Sequence, residues 1–265
     1  MNTEARREEI LELARRDGFV AVEALADRFH VTPQTIRRDI NALCDTGQLQ
    51  RHHGGAAPPS STRNLDYAAR QILNREAKQR IGRAVARHIP DGSSLFVNIG
   101  TTNEAVADAL RHHDGLQIIT NNLNVAAMLA AEPGIQVIVT GGLVRARDLG
   151  IVGEATLDLI RQFRVDVAVI GASGLDLDGA LLDFDYREVR VTRELMKHAR
   201  EVVLAVDGSK IGRPAMAKIA DLTAIDHVFC DAPPPPELEA VMAGATVTWH
   251  VAGVIGAFAS AKTNS

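Results

Sequence analysis

Two groups of side chains carry most of the chemical potential of this chain. The first is Gln34, Thr35, Arg37, Arg38 and Asn41, entered through Thr32 and Pro33. Thr32 can accept a hydrogen bond from a free N–H of a first helical turn. Pro33 gives up a donor that would be orphaned there anyway, so a helix starts at this point. Ile36, Ile40 and Leu43 recur at helical spacing and form its buried stripe. Gln34, Arg38 and Asn41 then face the opposite side, flanked by Thr35 and Arg37. Guanidinium pairs bidentately with guanine, carboxamides pair with adenine, and Thr or Arg holds phosphate, so this face has the chemistry of a DNA recognition helix. A plain amphipathic helix with a solvated polar face has the same pattern, and its neighbours must decide.

The second group is a set of turns of one kind. They are Asn98-Ile99-Gly100-Thr101-Thr102, Thr120-Asn121-Asn122, Thr140-Gly141-Gly142 with Arg145 and Arg147 after it, Gly171-Ala172-Ser173-Gly174 before Asp176, and Asp207-Gly208-Ser209-Lys210. Glycine lets backbone approach an oxygen-rich ligand, Ser and Thr add hydroxyl donors, and helix N-termini beside Lys or Arg favour an anion. Convergence of these turns predicts a site for an anionic, hydroxylated small molecule, a sugar or polyol phosphate. One such turn alone is equally well explained by helix capping.

The elements that must position these residues follow from periodicity. Glu4 to Arg16 is an amphipathic helix closed by Asp17-Gly18, and Phe19-Val20 is the edge of a small sheet. Val22, Leu25, Ala26 and Phe29 form the inner face of a second helix, and His30-Val31 is the turn into the recognition helix. This is a helix-turn-helix. After Gly47, Leu49 to Gly55 is predicted to pair back on Phe19-Val20 as a wing. Its tip, with Arg51, His52 and His53, would serve backbone or minor-groove contact, unless the two histidines are merely solvated. Residues 1–57 thus read as a winged DNA-binding domain, 58–76 as a linker stiffened by Pro58-Pro59, 77–252 as an α/β domain and 253–265 as a flexible tail. In the larger domain, strands apolar on both faces alternate with helices, which predicts a mostly parallel, doubly covered sheet with ligands at the strands' carboxyl ends.

Composition sets outer limits. The 265 residues are 46% hydrophobic and 23% charged, as in a folded protein of one small and one larger domain. No apolar run reaches the ~20 residues needed to span a bilayer, and no signal-peptide core follows Met1, so a cytoplasmic location without membrane contact is expected. Cys44 and Cys230 show no ligand spacing, so neither structural zinc nor another metal is expected. The net charge is −4, and the first 60 residues hold eight arginines, no lysine and nine acids. Any DNA affinity must come from a few placed arginines and from oligomerisation.

Arg7-Glu8-Glu9-Ile10-Leu11, Leu25-Ala26-Asp27-Arg28-Phe29, Thr32 to Asp39 and Arg51-His52-His53-Gly54-Gly55-Ala56 resemble the amino-terminal signature of the DeoR family of bacterial repressors. Ala21 departs from it, standing where the family usually has a Ser or Thr helix cap. The larger domain is similar to the DeoR sensor, whose fold resembles ribose-5-phosphate isomerase. Gly171 to Asp176 aligns with the isomerases' Gly-Ala-Asp-Glu-Ile-Asp stretch, but Ser173 and Gly174 replace two acids there. An aldose–ketose isomerase needs a carboxylate base beside the C–H it ionises. Asp176 remains, and Asp183, Asp185 and Glu188 are further acids nearby. The resemblance therefore implies a receptor that kept the pocket and lost the reaction, with no catalytic residue and no cofactor.

Further likeness within the family runs through Thr120 to Ala126, Gly153 to Asp158, Gln162-Phe163-Arg164, Leu181 to Tyr186 and Asp231 to Pro235, with Ser60-Ser61 in the linker. It implies a repressor of glycerol 3-phosphate or sugar-phosphate catabolic genes. It would bind double-stranded operator DNA as a dimer or tetramer and be released by a phosphorylated inducer, sn-glycerol 3-phosphate first among them. Thr32, Gln34, Thr35, Arg37, Arg38, Asn41, Arg51, His52 and His53 would serve DNA. Gly100, Thr101, Thr102, Thr120, Asn121, Asn122, Gly141, Gly142, Arg145, Asp176 and Lys210 would serve the effector. Asn98 replaces the family's usual Asp and removes a negative charge from the site. The competing readings are a sugar-phosphate isomerase with an attached regulatory DNA-binding domain, and an activator or interaction module.

Overall fold

The computed structural model describes residues 3–17, 19–46, 48–52, 54–58, 64 and 67–253. His53, linker residues 59–63, Ser60-Ser61 among them, and the tail beyond 253 lie outside the described residues.

The amino-terminal unit runs α1 (Thr3–Asp17), β1 (Val20–Ala21), α2 (Val22–Phe29), α3 (Pro33–Asp45), β2 (Gln50–His52) and β3 (Gly55–Ala57). Ile10, Leu13, Val22, Leu25, Ile36, Ile40 and Leu43 pack into one cluster, the stripes their spacing demands. His30 ends α2 in the left-handed region at φ 52°, which turns the chain sharply into α3. Thr32 caps α3, its Oγ accepting the Thr35 N–H at 3.3 Å. Ala21 begins α2 without a side-chain cap.

The wing departs from the sequence expectation. The strand beside β1 is β3, so the order is β1-β3-β2 and the Gln50–His52 segment forms the outer strand. Gly55 makes this possible, because a Cβ there would lie 2.1 Å from the Val20 carbonyl oxygen.

The larger unit continues with α4 (Tyr67–Ile72), α5 (Arg75–His88), β4 (Ser94–Val97), α6 (Thr101–Leu110), β5 (Leu116–Thr120), α7 (Leu123–Leu129) and β6 (Ile135–Val139). A hairpin of β7 (Leu143–Val144) and β8 (Ile151–Val152) follows, then α8 (Glu154–Ile160), β9 (Val165–Ile170), β10 (Gly174–Leu175), β11 (Ala180–Asp183) and α9 (Tyr186–Lys197). The last elements are β12 (Ala199–Ala205), β13 (Ala217–Asp221), β14 (His227–Cys230), α10 (Pro236–Met242) and β15 (Thr248–Val251). The helical stretch from α4 into α5 contains a break at Asn74, whose φ is 55°. The β7–β8 hairpin and a small antiparallel sheet ordered β10-β11-β13 were not foreseen.

The main sheet has seven parallel strands ordered β15-β14-β12-β9-β4-β5-β6. Alternation sends Phe96, Ile119, Ala168 and Ile170 to one face, under α8, α9 and α10. Leu95, Val97, Ile118, Val167 and Val169 go to the other, under α5, α6 and α7. From β4 the chain builds outward through β5 and β6 on one side and through β9, β12, β14 and β15 on the other. The order reverses between β4 and β9, where the connections that follow leave in opposite directions and a crevice opens at the carboxyl ends. No helix among the described residues is long and apolar enough to cross a membrane.

Candidate functional site

On α3, Ile36, Asp39, Ile40 and Leu43 are buried, and Gln34, Arg37 and Arg38 are exposed. Thr35 and Asn41 are half-buried on the flanks, with Thr35 Oγ 3.0 Å from Thr32 Oγ. Arg38 presents an exposed guanidinium on the outer face with no ion-pair partner among the described residues, whereas Arg37 has a loose exposed ion pair to Glu23 at 3.8 Å, worth little in water. Asp39 anchors the helix from below, with Arg6 Nε at 2.7 Å and Arg7 Nε at 3.0 Å. Removing one partner of such a buried cluster leaves uncompensated charge, so Asp39 is a positioning residue rather than a DNA contact. In the wing, Arg51 is exposed.

His52 is not. It is buried with its ring 6.3 Å from that of Phe19, edge to face, which turns it away from a DNA-facing tip. Burial pushes its imidazole down to about 4, and the positive charges of Arg213 and Lys210 add to this. Ala57 of the wing and Leu73 of the larger unit are buried together, with Phe19 packed against them, so the wing leans toward the larger unit. The pairing of β2 with β3 decides this, because alternation then exposes Arg51 and buries His52.

In the crevice between β4 and β9 lies a cleft of about 640 Å³, including its open mouth. Asn98 to Asn103 line it from the β4 end, and Gly171, Ala172 and Ser173 from the β9 end. Asp183, Glu188, Thr192 and Lys210 complete the floor, and Asn64, Tyr67 and Arg70 of the segment leading from the amino-terminal unit form the roof. Gly100 precedes α6 at φ 132°, with no side-chain cap on the helix. The first N–H groups of α6 are therefore left for a ligand, and the helix dipole favours an anion there.

Groups of both charges line the cleft. Lys210 is pushed down to about 7, by burial first, with Asp207 opposing and Arg213, Lys78 and Arg70 adding repulsion. An anion arriving beside it would offset that crowding of cations. Among the acids, burial raises the Asp183 carboxyl above its usual range against N–H donation from Asp185 and Phe184 and the Ser173 hydroxyl. Glu188 is raised to about 7, by burial first and then by the charge of Asp183, with Arg145 opposing. Asn98 donates to Thr192 Oγ at 2.8 Å and accepts the Ile99 N–H at 2.8 Å, so both ends of its amide are engaged. Asn103 donates to the Asn98 and Ile99 carbonyls while its buried Oδ1 has no partner among the described residues. That acceptor, with two acids, suits ligand hydroxyls.

Of the effector residues expected from sequence, the structure brings Gly100, Thr101, Thr102 and Lys210 to the cleft. The others lie outside its lining. Thr120 donates to the Val97 carbonyl and accepts the Asn122 N–H, Asn122 caps α7, and Asn121 donates to the Ile151 carbonyl. The Gly141 carbonyl accepts from Thr156, and Gly142 sits at φ 136° with no room for a Cβ beside Thr156 and Val152. Arg145 is consumed by Asp148, Asp185 and Glu188 behind the wall. Asp176 closes the β10–β11 turn. The reason is common to the turns after β5 and β6: they flank strands on one side of the reversal point, so their polar groups cap and brace. Asn64, Tyr67, Arg70, Asp183, Glu188 and Asn103 are pocket residues with no motif of their own. Ser173 belongs to the glycine turn after β9, and Asp183 and Glu188 are singled out in sequence only through the isomerase resemblance.

Residues 6–62 match the DeoR-like helix-turn-helix domain and residues 73–232 the DeoR C terminal sensor domain. The chain is 49% identical to the glycerol-3-phosphate regulon repressor of Escherichia coli (strain K12), covering 91% of this chain and 96% of that one. It is 43% identical to the repressor of the same name from Haemophilus influenzae, over 86% and 89%. To the HTH-type transcriptional repressor CsqR of Escherichia coli it is 39% identical, over 88% and 90%. Among solved structures, ribose 5-phosphate isomerase A from Methanocaldococcus jannaschii superposes with a TM-score of 0.39 at 17% identity, over 52% of this chain and 55% of that one. With both halves matched and 49% identity over 91% of the chain to a named repressor, this chain belongs to the DeoR family.

Proposed function

We propose that this protein is a transcriptional repressor of glycerol 3-phosphate or related sugar-phosphate catabolic genes. It holds operator DNA through α3 as a dimer or larger homo-oligomer and is released by a phosphorylated polyol, sn-glycerol 3-phosphate first among candidates. The observation that carries this reading is the cleft lined by Lys210 and the α6 N-terminus and also by Asp183 and Glu188, roofed by the segment that leads to the DNA-binding unit. A phosphate suits the cationic groups and hydroxyls the acids. Identity of 49% and 43% to glycerol-3-phosphate regulon repressors supports the choice of effector.

The isomerase alternative is less well supported. Gly174 stands where the isomerases carry an acid, and a Cβ there would lie 2.0 Å from the Arg213 carbonyl oxygen, so no acidic side chain can return without moving that loop. Asp176 is outside the pocket lining. The chain is read as a regulator and not an enzyme.

Release requires that the effector bind the DNA-incompetent arrangement more tightly, by about 1.4 kcal/mol for each tenfold shift. Asn64 donates to Ser173 Oγ at 3.2 Å and accepts from Arg213 at 3.0 Å, tying the connecting segment to the pocket wall. A ligand that re-arranges Ser173 changes those ties. Gel retardation of operator DNA by the purified protein, with and without glycerol 3-phosphate, tests the reading. Specific retardation relieved by the effector is expected, and Arg38→Ala should weaken specific binding by about 1–3 kcal/mol if Arg38 reads a base. Absence of specific retardation sinks the repressor reading; retardation indifferent to the phosphate sinks the effector alone.

A further inference from the structure

At the amino-terminal edge of the main sheet, opposite the cleft, four side chains from four elements meet. Glu201 of β12 and His227 of β14 share one sheet face, because Val203 pairs with His227 and residues two apart on a strand point the same way. His250 of β15 lies beside Phe229, which pairs with it, and their rings stack at 4.3 Å. His88, the last residue of α5, comes down onto this face with its ring 4.5 Å from that of His227.

The donor atoms converge. His88 Nε2 lies 2.6 Å and His227 Nε2 3.7 Å from Glu201 Oε1. One donor atom from each of His88, Glu201 and His227 fits within 4.8 Å of the others. Zinc with N and O ligands at about 2.0–2.1 Å in a tetrahedron needs donors roughly 3.3–3.5 Å apart. Small rotations of half-buried side chains, on a backbone held by parallel strand pairing, reach that spacing. The second shell is also in place. His227 Nδ1 is 3.0 Å from His250 Nε2, so with its Nε2 lone pair given to a metal, the Nδ1–H donates to His250 and the tautomer and ring plane are set. The side chains of His88, Glu201 and His227 are 23%, 31% and 24% exposed, which leaves an entry path and an open position for water.

We propose that His88, Glu201 and His227 form a site for a divalent transition-metal ion of the zinc class, with His250 orienting His227. The site lies at the far end of the sheet from the effector cleft and clamps the end of α5 to β12 and β14. It escaped the sequence reading because each ligand stands alone on its own element, with no ligand repeat at short spacing.

The test is zinc titration of the full-length chain after chelator stripping, in competition with a zinc-responsive dye, together with cobalt substitution. One saturable ion per chain is expected, with visible d–d bands of a low-coordinate N/O site for cobalt. His88→Gln and Glu201→Gln should each abolish the bands and weaken zinc binding by at least tenfold. His250→Gln should weaken it by roughly 10–100-fold. Exposed His112→Gln should leave binding unchanged. Circular dichroism of each variant separates loss of ligands from loss of fold, and His88, at a helix end, is the substitution the fold tolerates best. Absence of stoichiometric uptake, or wild-type binding in folded His88→Gln and Glu201→Gln proteins, overturns the proposal.

Discussion

Lys210 concentrates the chemistry of the pocket in one group. Its ammonium, pushed down to about 7, is half-charged at neutral pH and must be charged to hold a phosphate. Binding near pH 7 therefore takes up about half a proton, rising toward one as pH increases. Above pH 7 the phosphate is already close to its full charge, so the pH dependence left over belongs to the lysine. Effector affinity is expected to fall between pH 7 and 9, by at most about tenfold per pH unit. Calorimetric titration in buffers of different ionisation enthalpy reads the proton uptake directly. Lys210→Met should lose most of the affinity and flatten the profile; an unchanged profile removes Lys210 from the site. The same depressed value has a stability consequence of defined sign. Between about 7 and the ordinary lysine range the unfolded chain binds more protons, so this group makes the ligand-free protein more stable as pH rises through that window and less stable below it. His52 is the other residue whose environment redefines it, from a solvated tip histidine to a buried one facing the same cations.

Among the elements, α2 carries an identifiable deficit. Ala21 has the extended backbone of an N-cap, φ −87° and ψ 140°, but offers no oxygen to the first turn. Ala21→Ser should raise stability by about 1 kcal/mol, read as a shift of the urea midpoint with unchanged slope. No shift would mean that water or the preceding strand already satisfies those donors. Most elements are legible in sequence. The stripes of Ile36, Ile40 and Leu43, and of Val22, Leu25 and Ala26, and the apolar runs of β4, β5, β9 and β12 are local patterns read within a few residues. The two-residue strands β7, β8 and β10 are not, because two positions cannot show a period, and β11 and β13 mix apolar residues with Asp183, Lys218 and Asp221. The break at Asn74 is invisible for another reason: its left-handed backbone is stabilised from afar, by donation of its side chain to Asp207 at 2.7 Å.

In the whole molecule, the connecting segment is the element through which pocket and DNA-binding unit can communicate. If the Asn64 ties to Ser173 and Arg213 belong to the DNA-holding arrangement, Asn64→Ala should weaken operator binding without effector. The two hydrogen bonds described for Asn64, one of them to a charged group, set a scale of about 2–4 kcal/mol. Linkage requires that effector affinity rise in the same variant, since disfavouring one arrangement favours its competitor. Retardation assays and calorimetry measure the two sides, and a variant that leaves both unchanged removes this route. The proposed homo-oligomer fits the same logic, because one exposed helix face in an acidic chain supplies little specificity alone.

Sequence alone determined what depends on neighbours along the chain: the capped entry to α3 at Thr32-Pro33, its inward stripe and outward polar face, the alternation of strands and helices, and the signatures that align with the DeoR family. Only the tertiary structure decided which of several similar turns meet. Strand order is a long-range property, and its reversal between β4 and β9 selects Gly100 to Thr102, Ser173 and Lys210 for the cleft while assigning Thr120 to Asn122, Gly141 and Arg145 to bracing. The same long-range pairing turned His52 inward and brought His88, Glu201, His227 and His250 together from four separate elements.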